Sequence, residues 1–153
     1  MRANTGALSI LQAAVPSLGM LGFKCYTVGP EGVRFWVTIF GQNGELRAIM
    51  EGEHLSMIRT GAASGVATKY MARRDSTKVG IIGTGYQAPS QLEAVCAVRP
   101  ITQVKAFSRT RADLVRFCDK MSGRLGIAVV PAEMGGESPA PFCFTGPKKA
   151  ASW

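Results

Sequence analysis

One histidine, His54, stands in 153 residues, and the four cysteines, Cys25, Cys96, Cys118 and Cys143, lie far apart. Neither a C-x-x-C pair nor a zinc-type His/Cys spacing can be written from them, so a metal centre of protein ligands alone is not expected. The cysteines read as reduced packing residues, Cys96 and Cys118 on apolar helix faces. Acidic residues are scarce too: 10 Asp and Glu face 18 Lys and Arg, for a net charge of +8. Such a surplus raises nucleic acid as a partner. The chain lacks the basic stripe with interleaved aromatics that would support it. Arg2, Lys24, Arg34, Arg47, Arg59, Lys69 and the pair Arg73–Arg74 are scattered, and Lys148–Lys149 is the other tight cluster. The surplus therefore reads as a solvated basic surface, with no nucleic-acid partner. No apolar run approaches the ~20 residues of a membrane span. No charged-then-apolar leader with a cleavage site opens the chain. The expectation is a cytoplasmic protein without a membrane partner.

The apolar content is 46%, against 18% charged residues, so a packed core is expected rather than general disorder. The first third alternates with period two. Leu8 to Ala14, Phe23 to Val28, Val33 to Phe40 and Glu45 to Glu51 read as strands, with Asn43-Gly44 as a hairpin turn. This is a small antiparallel meander. The period then changes. From Leu55 to Arg74 apolar and small residues recur at three and four, which is helical, and Gly61, Ala62, Ala63, Ser64 and Gly65 would let another backbone come close.

The chain is organised around Lys78-Val79-Gly80-Ile81-Ile82-Gly83-Thr84-Gly85-Tyr86-Gln87-Ala88. An apolar run breaks into glycine, as a buried strand, a tight turn and a helix start would. That geometry aims backbone N–H groups and the positive end of a helix at one place suited to a pyrophosphate. The pattern is G-x-G-x-x-A, so Gly83, Thr84, Gly85, Tyr86, Gln87 and Ala88 are the candidate cofactor-binding residues. Gly83 would make the turn, Gly85 would admit the pyrophosphate, and Ala88 would let helix pack on strand. A helix over Gln87 to Val98, a strand over Gln103 to Phe107, a helix over Thr110 to Leu125 and a strand over Ile127 to Val130 follow. This β-α-β-α-β run is one half of a doubly wound sheet.

One element of that fold is missing. A carboxylate expected at the end of the second strand would accept from a ribose 2′-OH. The chain has Ser108-Arg109-Thr110 there, two hydroxyls around a guanidinium, which suit a 2′-phosphate. NAD(P) is the expected cofactor and NADP the favoured form.

Arg59-Thr60-Gly61-Ala62-Ala63-Ser64-Gly65-Val66-Ala67-Thr68-Lys69-Tyr70, the glycine turn, and Gln91-Leu92-Glu93-Ala94 together resemble the ornithine cyclodeaminase/mu-crystallin family. The resemblance runs roughly from Leu8 to Glu133. It implies a β-rich substrate and dimerisation domain joined to a Rossmann domain, usually in a homodimer. The implied chemistry is hydride transfer at the α-carbon of an amino acid or imine, as in conversion of ornithine to proline plus ammonia. By position, Lys24 matches the family's substrate-site lysine and Arg59 its substrate-carboxylate arginine. Thr60 would touch the cofactor phosphates. No residue matches the family's catalytic aspartate.

The expected fold class is therefore α/β. Residues 1–57 form a partial antiparallel β domain, 58–75 a connecting helix, 76–133 the first half of a Rossmann sheet, and 134–153 an irregular tail. As it stands the chain reads as a truncated or frame-shifted fragment without turnover, its sheet exposing an apolar flank. The alternatives are a non-catalytic NADP-binding protein like mu-crystallin, or a ketimine, cyclic-imine or alanine oxidoreductase.

Overall fold

A computed structural model of the chain describes residues 2–3, 6–132 and 143–145. Two units form, Met1–Ser56 and Met57–Trp153.

The first unit is a five-stranded antiparallel sheet in sequence order: β1 (Arg2–Ala3), β2 (Gly6–Val15), β3 (Met20–Gly29), β4 (Gly32–Gly41) and β5 (Leu46–Glu51). The strands are longer than the sequence pattern predicts. Ladder pairing carries β3 and β4 out to Gly29 and Gly32, beyond the apolar alternation. The Asn43-Gly44 turn is present, with the Gly44 N–H donating to Gly41 O at 2.9 Å. Directly paired residues share a face. One face therefore carries Ile10, Cys25 and Trp36, and the other Leu11, Lys24, Val37 and Met50. Gly52 then leads into the long helix α1 (Glu53–Met71). Its N–H donates to Phe35 O at 2.9 Å, which ties the helix start to β4.

The second unit holds the rest of α1 and a parallel sheet of β6 (Lys78–Ile82), β7 (Gln103–Phe107), β8 (Ala128–Pro131) and β9 (Cys143–Thr145). The helices α2 (Ala88–Val98) and α3 (Arg111–Leu125) complete it. The order is β8-β7-β6-β9. Val79, Ile81, Val104 and Ala106 bury one sheet face in a single cluster with Leu92 and Val95 of α2 and Leu114, Phe117, Cys118 and Met121 of α3. Both crossover helices thus cover the same face, as right-handed connections require.

One expectation needs correction. The stretch 134–153, read as irregular, contains β9, which pairs in parallel with β6 through Gly80–Cys143, Ile81–Phe144 and Ile82–Thr145. The remainder of that stretch, Lys148–Lys149 included, lies outside the described residues. The other face of the parallel sheet is mixed: it carries Lys78, Gly80 and Ile82 on β6, Gln103, Lys105 and Phe107 on β7 and Val130 on β8, with Ile82 and Val130 exposed. Among the described residues, the larger apolar exposure is on the first unit's sheet, where Ile10 and Ile49 are each 60% exposed and Trp36 is 44% exposed.

Candidate functional site

With β7 and β8 on one side of β6 and β9 on the other, the strand order reverses beside β6. In open α/β sheets ligands bind at the carboxyl ends of strands at such a point. The glycine turn leaves β6 there. Gly83 has φ 93°, a left-handed conformation that side chains other than glycine adopt only under strain. Its N–H donates to Phe107 O at 2.8 Å, lacing the end of β6 to the end of β7. Ser108, Arg109 and Thr110 begin immediately after that acceptor, Ser108 half-buried and the other two exposed. The structure therefore brings the two halves of the predicted cofactor set, 83–88 and 108–110, to one edge of the sheet. Within the turn the Ala88 N–H donates to Gly85 O at 3.0 Å, and Ala88 is 1% exposed, packed in the core beneath the helix. Gly83 and Ala88 thus shape the turn. Thr84, Gly85, Tyr86 and Gln87 form its rim.

Arg59 and Thr60 lie on α1, and the second unit sets that segment against the start of α2. The Ser90 hydroxyl is within 3.0 Å of both Met57 O and Gln87 O, bridging the two helices. A Cβ added at Gly61 would stand 2.4 Å from Ser90 O, so the backbones touch where glycine alone fits. Gly65 repeats the contact one turn on, with Ala94 O at 3.1 Å. The far end of α1 is clamped by Arg99, which is 9% exposed. Its guanidinium donates to Thr68 O, Lys69 O, Ala72 O and Arg73 O at 2.8–2.9 Å. A cation suits the negative end of a helix and satisfies its last carbonyls.

In the first unit, Lys24 projects from β3 along the sheet. Its Nζ donates to Ser56 Oγ at 3.0 Å and lies 4.7 Å from the centre of the Phe35 ring and 5.9 Å from that of Tyr26.

Two cysteines stay out of the chemistry. Burial, reinforced by Glu93, pushes the Cys96 thiol up to about 11. Burial and Asp119 raise that of Cys118, with Arg111 partly opposing. Among the described residues no three of His, Cys, Asp and Glu gather as a metal site would require.

The sequence reading missed Ser56, Ser90, Arg99 and the exposed Arg111 that opens α3 beside Arg109. Serines and arginines of this kind carry no periodic or spacing signal. Arg99 before Pro100 reads from sequence as the stop of α2, which does end at Val98, but its clamp on α1 carries no local signal.

Residues 1–137 match the family model of the ornithine cyclodeaminase/mu-crystallin family. The chain belongs to that family. A Delta(1)-pyrroline-2-carboxylate reductase from Bacillus cereus is 42% identical over 125 residues, 76% of this chain and 38% of that protein. Among solved structures, an archaeal alanine dehydrogenase dimer with bound NAD is 30% identical with TM-score 0.80, covering 87% of this chain and 43% of that one. The Thermococcus litoralis Delta(1)-pyrroline-2-carboxylate reductase in complex with NADH and L-proline is 31% identical with TM-score 0.69, covering 86% and 48%. The chain thus spans less than half the length of these relatives.

Proposed function

We propose that the chain carries the nicotinamide-dinucleotide and carboxylate-binding portion of an oxidoreductase acting at the α-carbon of an amino acid or cyclic imine, with NADP favoured over NAD. The observation that carries this is the Gly83 N–H to Phe107 O bond at the strand-order reversal. It makes the glycine turn and Ser108–Thr110 neighbours, as a dinucleotide spanning pyrophosphate and ribose needs. The residues fit the group: a glycine-only turn, the start of an 11-residue helix, and no carboxylate at 108–110 to repel a 2′-phosphate. Arg109 would hold that phosphate by paired N–H donors, with Ser108 and Thr110 as lesser donors. Thr60 would reach the phosphates from α1. Lys24 and Arg59 are each read as a cation for the substrate carboxylate. When bound, the nicotinamide supplies or accepts the hydride at the α-carbon.

Cyclic imino acids are the favoured substrate class. The support is the 42% identity to a protein named for pyrroline-2-carboxylate reduction, above ornithine cyclisation in this respect. A homodimer is part of the reading, supported by the apolar exposure of the first unit's sheet and by the dimeric alanine dehydrogenase. A cytoplasmic location is supported by the free thiols of Cys25, Cys96 and Cys118.

Fluorescence titration with NADPH and NADH tests the cofactor reading. NADPH should bind more tightly, and Arg109→Ala should bring the two affinities to within about threefold by removing a charge-assisted contact. Tighter NADH binding by the parent chain overturns the NADP preference. Oxidation of NADPH with Delta(1)-pyrroline-2-carboxylate, yielding proline, tests the activity. Cofactor binding without turnover leaves the binding portion of the reading standing and removes the activity from this chain.

A further inference from the structure

Lys24 is an unusual lysine for its position. It lies in the third of five strands, with Leu11 and Val37 as direct neighbours on its face. A lysine stem there would ordinarily lead its ammonium outward to water. Here the ammonium is turned back over the aromatic pair Tyr26–Phe35, whose rings face each other across the strands at 5.6 Å, and is met by Ser56. Ser56 is 3% exposed and sits in the first turn of α1. Its N–H donates to Gly52 O at 2.8 Å, and the Gly52 N–H donates to Phe35 O at 2.9 Å. These contacts run in sequence: Phe35 holds the helix start, the helix start holds Ser56, Ser56 accepts from the ammonium, and the ammonium rests over Phe35. A hydroxyl can fix an ammonium in this way and bring no charge of its own, whereas a carboxylate at 56 would cancel the cation.

We propose that Ser56 is a positioning residue for Lys24, fixing its ammonium over Phe35 in the orientation that receives a substrate carboxylate. This rests on the reading of Lys24 as a carboxylate cation. Its consequence is that carboxylate affinity depends on a side chain that need not touch the ligand. Pre-fixing a flexible lysine removes part of the ordering cost of binding.

The experiment is titration of the full chain with L-proline in the presence of NADPH, by calorimetry, for the parent, Lys24→Met, Ser56→Ala, Ser56→Thr and the Lys24→Met/Ser56→Ala pair. Thermal unfolding checks that each variant is folded. Ser56→Ala should weaken Kd about tenfold, the scale of one hydrogen bond to a charged group. Ser56→Thr, which keeps the hydroxyl, should stay within about twofold of the parent. The double variant should bind no more weakly than Lys24→Met alone, because Ser56 acts only through the lysine. If Lys24→Met weakens binding and Ser56→Ala does not, the positioning role is wrong and the Lys24 reading stands. An equal loss from Ser56→Ala with and without Lys24 also overturns it, since a general packing defect would act that way. If Lys24→Met binds proline like the parent, or the parent binds none, the carboxylate reading itself fails.

Discussion

Three glycines on helices test the packing of the second unit, because the same substitution should act with opposite signs. Gly61, Gly65 and Gly123 are all helical, on α1, α1 and α3. In an exposed helix interior Gly→Ala stabilises by up to ~1 kcal/mol, since alanine has less backbone freedom to lose. At Gly123 nothing lies within 4 Å of the added Cβ, so that gain should appear in full. At Gly61 the Cβ would meet Ser90 O at 2.4 Å, Ser90 C at 2.7 Å and Ser90 Cβ at 3.0 Å. Two of these are backbone atoms of the first turn of α2 and cannot rotate away. The helices must separate, which also stretches the bridge from the Ser90 hydroxyl to Met57 O. Overpacking of this kind costs about 1–3 kcal/mol, and loss of the bridge about 1 more. Offset by the propensity gain, Gly61→Ala should destabilise by ~1–3 kcal/mol. Gly65, whose contacts are 3.1–3.5 Å, should fall near neutral. Urea unfolding followed by circular dichroism gives the three midpoints on one scale. A Gly61→Ala midpoint equal to or above that of Gly123→Ala would refute the close approach of α1 and α2. NADPH titration of folded Gly61→Ala adds a functional reading. Displacing the Arg59–Thr60 segment from α2 should weaken cofactor binding, whereas Gly123→Ala should leave it unchanged.

Other outcomes follow from single sites. Arg99→Ala removes the guanidinium that satisfies carbonyls at the end of α1, and should cost ~2–4 kcal/mol in chemical denaturation, with the buried carbonyls left unpaired. A loss under 0.5 kcal/mol, roughly that of an ordinary surface change, would show that water replaces it. Gly83→Ala forces a side chain to φ 93° and should destabilise by ~1–2 kcal/mol and weaken NADPH binding in fluorescence titration. The Cys96 thiol sets a pH dependence. Its folded value, about 11, lies above the ordinary 9.0, so the folded state keeps the proton that the unfolded chain gives up. The stability it contributes is complete below pH 9 and is lost as pH rises toward 11. The urea midpoint of the parent should therefore fall over that range by more than that of Cys96→Ala, and parallel curves would refute the shift. Iodoacetamide at pH 8 should label Cys96 only slowly in the folded protein.

Local order was legible from residue pattern alone. Period two gave way to periods of three and four at Leu55, two residues after α1 begins, and the elements of the β-α-β-α-β run lie within a residue or two of where the pattern puts them. Short-range physics decides these features: pleat, helical repeat, and a glycine break between strand and helix. The family's residues around Arg59 and Gly83 were legible for the same reason, being contiguous. What tertiary structure decided is which distant residues meet. β9 has three described residues, and it becomes a strand because Gly80, Ile81 and Ile82, about 60 positions earlier, offer an open edge. Gly61 and Gly123 are the same residue in the same secondary structure, and only the crossing of α1 over α2 makes one obligatory and the other replaceable. Lys24 and Ser56, 32 positions apart, are ordinary surface types until the sheet and the start of α1 close on each other. Sequence by itself thus determined the elements from Leu8 to Val130, the turn and the family. The three-dimensional packing determined the partners, because a hydrogen bond or a backbone contact depends on distance in space and carries no periodic trace along the chain.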